Sequence, residues 1–171
     1  EDEARLENLG EGIEEVLDGV DASMSTWRDD SELSRLNSRD DQSEWTDISA
    51  PLYEVLVSAA DVSSLTDGAF DITIGPVVNL WGFGPEARLD KVPDDDELAA
   101  RLDATGYEKL ELRAEPPAIR ASKPQYIDLS AIAKGYGVDA VARYLESAGV
   151  TSYLVEIGGE VRVNGRKPDG S

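Results

Sequence analysis

The chain contains neither cysteine nor histidine among its 171 residues. The lack of cysteine excludes disulfides, thiol chemistry and cysteine metal sites, so cysteine usage says nothing about the redox compartment. The lack of histidine removes the commonest general base and transition-metal ligand. Carboxylates, hydroxyls, lysine and backbone oxygens remain for chemistry, so a hard cation such as Mg²⁺ is the metal that suits this composition.

Basic residues are also scarce. The chain has 16 Lys and Arg residues against 36 Asp and Glu residues, a formal net charge of −20. This charge disfavours a nucleic-acid partner, because phosphate backbones are repelled. The acidic residues are spread along the whole chain, as on a salt-adapted (halophilic) surface, although solvated acidic faces on an ordinary domain explain the pattern more simply. No apolar run is long enough to span a bilayer, and no signal sequence is visible.

Apolar residues at three- and four-residue spacing predict helices over residues 2–20 and 47–65. Ser49 is expected to cap the second helix, with Pro51 in its first turn. Its buried stripe is predicted to consist of Leu52, Val55, Leu56, Ala59 and Ala60. A short capped turn is expected after Ser31, and an acid-started helix over residues 94–104 ends near Gly106.

Residues 66–85 mix apolar side chains with four glycines and two prolines without a sustained period. They are predicted to form a buried, irregular segment. Such backbone has polar groups that need partners, and a ligand or metal can supply them. A turn-rich core connection anchored by Trp81 and Phe83 is an equally good interpretation.

Alternating residues predict successive strands over 107–113, 118–122 and 125–129, and a Gly158-Gly159 hairpin joins strands over 152–157 and 160–164. We therefore expect an α/β or α+β fold: a mixed, largely antiparallel sheet backed by helices, in one domain. A hairpin edge is a poor place to finish a domain, so further chain is expected after it.

Residues 126–149 hold the main candidates for chemistry. Asp128 is predicted at the mouth of a helix over 128–149, with Lys134 after its first turn. A carboxylate and a lysine among small residues near a helix start suit a phosphorylated ligand or its metal ion. A lysine that merely extends to solvent is the alternative. The Lys-Gly-x-Gly sequence at 134–137 matches neither the P-loop nor the dinucleotide fingerprint.

Four segments in order, at residues 24–37, 66–84, 128–139 and 158–160, resemble the FAD:protein FMN transferases, the ApbE family. The resemblance implies a Mg²⁺-dependent enzyme that splits FAD at its pyrophosphate, attaches FMN through a phosphoester to a threonine of a partner flavoprotein and releases AMP. FAD is then a substrate. Hydrolysis of FAD to FMN and AMP, and FAD binding without catalysis, are the alternatives.

The resemblance also assigns candidate site residues. Those expected to contact FAD are Met24, Trp45, Ala69, Phe70, Asp71, Asp128 and Lys134. The backbone oxygen of Ala131 matches a Mg²⁺ ligand, whereas no residue is identified as the catalytic acid or base. Met24, Trp27 and Trp45 taken singly would instead be core residues.

Members of this family are longer at both ends. The resemblance therefore implies that residues 1–171 are a truncated flavin transferase domain with part of the active site, and that they alone bind FAD poorly and transfer little FMN. It also implies a periplasmic or other extracytoplasmic location, with membrane anchoring only through a lipid attached upstream of this chain.

Overall fold

The computed structural model describes residues 2–85 and 92–166, with side chains from residue 8 onward. The helices are α1 (Asp2–Met24), α2 (Glu32–Asn37), α3 (Ala50–Leu65), α4 (Gly75–Leu80), α5 (Asp95–Ala104) and α6 (Ala133–Ser147). The strands are β1 (Thr46–Asp47), β2 (Leu110–Arg113), β3 (Ala118–Ala121), β4 (Tyr153–Ile157) and β5 (Glu160–Asn164). The chain divides into two compact units, called here the hairpin unit (Glu1–Asp21 and Ile132–Ser171) and the central unit (Ala22–Ala131).

The hairpin unit packs α1 and the β4–β5 hairpin around α6. Its core is Val138, Val141, Leu145 and Val155, against which Leu9, Ile13, Val16 and Leu17 of α1 pack. The two strands are antiparallel, with Leu154 opposite Val163. Gly158 and Gly159 both have positive φ, as a two-residue hairpin turn of this kind requires. The predicted first helix and the predicted hairpin are therefore confirmed.

The central unit contains a three-stranded antiparallel sheet in the order β1–β3–β2. The Ser49 hydroxyl caps α3 by accepting a hydrogen bond from the Leu52 amide at 3.3 Å, as predicted. The helix begins at Ala50 rather than at residue 47, because Thr46 and Asp47 pair with β3. Ala59 is buried as expected, but Ala60 is exposed.

Residues 66–85 are less irregular than predicted, since they include α4. Trp81 and Phe83 follow this helix with 42% and 75% of their surfaces exposed. The interpretation in which these two rings anchor a core connection is therefore wrong. Ser31 caps α2, as expected, and Asp94 caps α5, which begins at Asp95 rather than at residue 94.

The predicted strand over 125–129 is absent from the structure, and the backbone groups of Gln125 and Ile127 bond to side-chain amides instead. The backbone N–H of Gln125 donates to Gln42 Oε1 at 2.9 Å, and its carbonyl accepts from Gln42 Nε2 at 3.0 Å. Asn37 makes the same paired contact with Ile127, at 2.8 Å in both directions. These amides replace a neighbouring strand. Residues 107–109 likewise form a 3₁₀ turn before β2.

The last helix begins later than predicted. Its first residue is Ala133, so Asp128 lies in the preceding turn rather than at the helix mouth, and Lys134 lies within the first turn. The helical spacing predicts that Ile132, Val138, Val141 and Leu145 face the core; the last three are buried, whereas Ile132 is half-buried. Among the helices of residues 2–85 and 92–166, none has the length and apolar character needed to cross a membrane.

Candidate functional site

A cavity of about 270 Å³ in the central unit brings together two of the predicted segments. It is lined by Ala69, Phe70, Asp71, Ile72, Ile74, Val78, Asp128, Ser130 and Ala131. Of the residues proposed from the sequence, Ala69, Phe70, Asp71, Asp128 and Ala131 thus lie around one space. Apolar side chains, two carboxylates and a stretch of small residues form its walls.

The two segments are joined by backbone contact. The Asp128 N–H donates to the Ile72 carbonyl at 2.8 Å. Gly75, at the start of α4, permits this approach: a Cβ there would lie 2.4 Å from the Tyr126 ring and 3.3 Å from Asp128 Cβ. Real Cβ atoms do not come that close to a ring, so a larger residue at position 75 would force the Tyr126 ring to move.

Both aspartates close the same kind of local turn. Asp71 Oδ1 accepts from the backbone N–H of Thr73 at 2.8 Å, and Asp128 Oδ1 accepts from that of Ser130 at 2.8 Å. These are Asx turns, in which a short carboxylate satisfies the amide two residues later. Asp128 is 8% exposed. Each carboxylate therefore has a defined orientation at the cavity.

Asp71 is further tied to residues beyond α5. Its Oδ1 also accepts from the Thr73 hydroxyl at 2.7 Å, and its Oδ2 accepts from the Tyr107 N–H at 3.2 Å. Burial raises the pKa of the Tyr107 phenol, and the negative charges of Glu108, Asp67 and Asp71 raise it further. The phenol thus stays protonated at neutral pH.

The oxygen atoms at the cavity fit a hard cation. Asp128 and Ala131 both line the cavity. Mg²⁺ commonly takes one or two carboxylates while substrate phosphates and water complete its shell. Within the part of the chain that the structure describes, no group of three or more acidic residues forms a metal cage. The donors present suit an ion shared with a phosphorylated ligand.

Met24 and Trp45 are not among the described residues that line this cavity. Met24 is 3% exposed and belongs to the core. The Trp45 ring is half-buried and lies beside the guanidinium groups of Arg113 and Arg120, at 4.9 and 4.7 Å from the ring centroid. Trp27 is 68% exposed, so the expectation that it is a core residue is wrong. That Met24 and Trp45 contact FAD stays a prediction.

Lys134 belongs to the hairpin unit. Its ammonium group lies 3.7 Å from Glu160 Oε1, and both side chains are partly exposed. The stem lies against Gly158, where an added Cβ would be 3.0 Å from Lys134 Cδ. Two of the recognised segments, 128–139 and 158–160, thus meet through Lys134. Its contact with FAD stays a prediction.

Sequence reasoning missed the roles of Thr73 and Ser130. Thr73 is 1% exposed and bonds to Asp71, whereas Ser130 closes the turn at Asp128 and lines the cavity. A shared pattern was available: in both segments Asp is followed two residues later by Ser or Thr. That spacing is typical of an Asx turn and does not depend on helix or strand periodicity.

A sequence profile described as the ApbE family matches residues 3–171. The chain belongs to the ApbE family. Its relatives include proteins named FAD:protein FMN transferase from Vibrio cholerae and Haemophilus influenzae. The first is 50% identical over 159 residues, which cover 92% of this chain and 47% of that protein. The second is 46% identical over 170 residues, covering 98% and 49%. The chain spans about half the length of these relatives.

Solved structures of ApbE proteins share the fold. The flavin transferase ApbE from Vibrio cholerae superposes with a TM-score of 0.91 at 48% identity, over 96% of this chain and 52% of that one. The Pseudomonas stutzeri flavinyl transferase ApbE in its apo form gives 0.89 at 37% identity, over 96% and 54%. The predicted fold class, helices with largely antiparallel sheet, is confirmed. The assignment of residues 1–171 to one truncated domain stays a prediction.

Proposed function

We propose that this ApbE chain forms part of an FAD:protein FMN transferase that requires Mg²⁺ and modifies a threonine of a partner flavoprotein. The observation that carries the proposal is the cavity in which the Asp71 and Asp128 turns meet beside apolar walls. Such a cavity offers apolar contact to a ring system and oxygen donors to a metal-bound phosphate. The names of the ApbE relatives supply the reaction class.

The proposed reaction is a phosphoryl transfer. The threonine hydroxyl oxygen attacks the flavin-side phosphorus of FAD and gives up its proton. The bond between that phosphorus and the bridging oxygen breaks, and AMP leaves with this oxygen. Positioning and charge neutralisation account for most catalysis in such reactions. Water in place of the threonine would give FMN and AMP.

The residues of the cavity have distinct proposed roles. The Ala131 carbonyl would hold Mg²⁺, which when bound would neutralise pyrophosphate charge, and Asp128 would orient the FAD or the metal. Phe70, Ile72 and Val78 supply the apolar walls against which a ring of FAD would pack. Lys134 is proposed to contact phosphate or ribose oxygens, with Met24 and Trp45 as further contacts. The acid or base that serves the threonine is not assigned to any residue.

The test uses the full product of the gene that encodes this sequence, incubated with FAD, Mg²⁺ and a threonine-containing flavoprotein acceptor. AMP is quantified by chromatography and the acceptor is weighed by mass spectrometry. We expect both AMP and a covalent FMN adduct, and both should be lost with chelator. Asp128→Asn should lower the rate about 100-fold, because a charged group at the metal and phosphate is lost. Asp61→Asn, on the exposed face of α3, is the matched control.

The alternatives give different products. AMP and free FMN without acceptor modification would identify an FAD pyrophosphatase. Saturable FAD binding without AMP would identify a binding module. Absence of FAD binding by the full gene product, with or without Mg²⁺, would refute the proposal.

We also propose an extracytoplasmic location with attachment through a lipid upstream of this chain. Support comes only from the family resemblance. Fractionation of cells that express the full gene product, with detergent extraction of the membranes, tests it. Recovery of all the protein in the cytoplasmic fraction would contradict this location.

A further inference from the structure

Thr73 is the residue through which the cavity wall is tied to the loop after α5. It is 1% exposed, and its hydroxyl both donates and accepts a hydrogen bond. The hydroxyl donates to Asp71 Oδ1 at 2.7 Å and accepts from the Gly106 N–H at 2.7 Å. The neighbouring Tyr107 N–H donates to the other Asp71 oxygen at 3.2 Å. Two successive backbone amides thus hold the Asp71 turn.

We propose that Thr73 is a positioning residue for the FAD-binding wall formed by Ala69, Phe70 and Asp71. This inference rests on the function proposed above. Thr73 is not among the described residues that line the cavity, so it acts through Asp71 rather than on the ligand. A carboxylate held by several donors has one orientation, and the backbone that carries it is held with it.

Loss of the hydroxyl would affect both ends of this connection. Asp71 Oδ1 would keep only the Thr73 amide as a donor, and the Gly106 N–H would lose its acceptor. Gly106 has φ of 146°, a conformation that side chains rarely adopt, so the loop depends on its contacts to keep this shape. The wall should therefore move relative to the bound FAD while the reacting groups stay intact.

Two substitutions separate the hydroxyl from the packing. Thr73→Val keeps the volume and removes the hydroxyl, whereas Thr73→Ser keeps the hydroxyl and removes the methyl group. In the full gene product we expect Thr73→Val to raise KM and Kd for FAD about tenfold, with little change in kcat, since a hydrogen bond to a charged group is lost. Thr73→Ser should stay within about threefold of the wild type, because it restores that bond.

A second readout needs no ligand. Exchange of the Gly106 amide hydrogen should be faster in Thr73→Val than in the wild type or Thr73→Ser, because only valine leaves that N–H without an acceptor. Val141→Ala, in the core of the hairpin unit, is the control for general destabilisation. It should lower Tm without changing the KM for FAD.

The outcomes distinguish this inference from the proposed function. An active wild type whose Thr73→Val variant keeps the same KM and Kd overturns the role of Thr73 alone. Equal losses in Thr73→Val and Thr73→Ser also overturn it, because packing would then be the cause. A wild type that binds FAD without transferring FMN refutes the transfer, and FAD titration still decides the role of Thr73. Absence of FAD binding refutes both.

Discussion

Two side-chain amides, those of Gln42 and Asn37, hold the backbone of residues 125–127. Gln42 is 7% exposed and bonds to both the N–H and the carbonyl of Gln125. Asn37 bonds to both groups of Ile127, which is itself 2% exposed. Because these amides stand where a neighbouring strand would be, no other backbone takes over when one is removed. We expect Gln42→Ala and Asn37→Ala each to destabilise the protein strongly.

The magnitude follows from the groups left behind. Gln42→Ala removes three hydrogen bonds, since Nε2 also donates to the Leu36 carbonyl at 3.4 Å, and Asn37→Ala removes two. Each substitution leaves a largely buried N–H and carbonyl, and an unpaired group of this kind costs about 1–3 kcal/mol. Partial access of water reduces the sum, so a loss of about 2–4 kcal/mol in the free energy of unfolding is expected. Gln42→Glu changes only one of the two contacts with Gln125. It keeps the oxygen that accepts from the Gln125 N–H, but it places a carboxylate oxygen against the Gln125 carbonyl.

Denaturant unfolding followed by circular dichroism measures these changes. Asn8→Ala, an exposed position on α1, is the control and should change the free energy by less than about 0.5 kcal/mol. If Gln42→Ala and Asn37→Ala also remained within 0.5 kcal/mol, roughly the surface range, the amides would not replace a strand and the reasoning would be refuted.

Three further predictions test charge and packing. With a net charge of −20, the melting temperature should rise from dilute buffer to molar KCl, and a flat or falling curve would contradict this. Gly12→Ala should be less stable than Gly10→Ala, because a Cβ at position 12 would lie 1.9 Å from the Tyr144 hydroxyl whereas position 10 has open space. The Arg28 guanidinium, hydrogen-bonded to Asp30 at 3.0 Å, holds the pKa of that carboxyl below its ordinary value. The stability that this pairing contributes is small. It is present above the pKa that Asp30 has in the unfolded chain, and it is lost as the pH falls through the lower pKa of Asp30 in the folded protein. Arg28→Gln should raise the pKa of Asp30 in an NMR titration, and an unchanged value would count against the pairing.

Sequence patterns correctly predicted the helices, caps and hairpin turn that are determined by contacts within a few residues. Apolar spacing predicted α1, whose Leu9, Ile13, Val16 and Leu17 pack on the core of the hairpin unit, and Ser31 and Ser49 cap the helices that follow them. Gly158 and Gly159 marked the hairpin turn. In each case the deciding contacts are made within a few residues, so spacing and residue type are sufficient.

The errors have long-range causes. Residues 125–129 alternate like a strand, but the partners of Gln125 and Ile127 are side chains from about 80–90 residues earlier, which periodicity does not register. The start of α3 was set too early because pairing with β3 overrides the helical pattern at Thr46 and Asp47. Within the site, the Asp71 and Asp128 segments carried recognisable motifs, whereas their common cavity depends on the contact between Ile72 and Asp128.

The amide contacts made by Gln42 and Asn37 bear on the proposed metal site, because both depend on the position of the backbone before Ala131. A side-chain ligand can adjust its position by changing rotamer, but a backbone carbonyl such as that of Ala131 can move only with the chain. The preceding residues are held accordingly: Gln42 and Asn37 hold Gln125 and Ile127, Ile72 accepts from Asp128, and Asp128 closes the turn to Ser130. A regular strand would hold the same residues but would carry its pattern onward through 128–131. The side-chain contacts stop at Ile127, so the chain is free to turn at Asp128 and place small residues at the cavity.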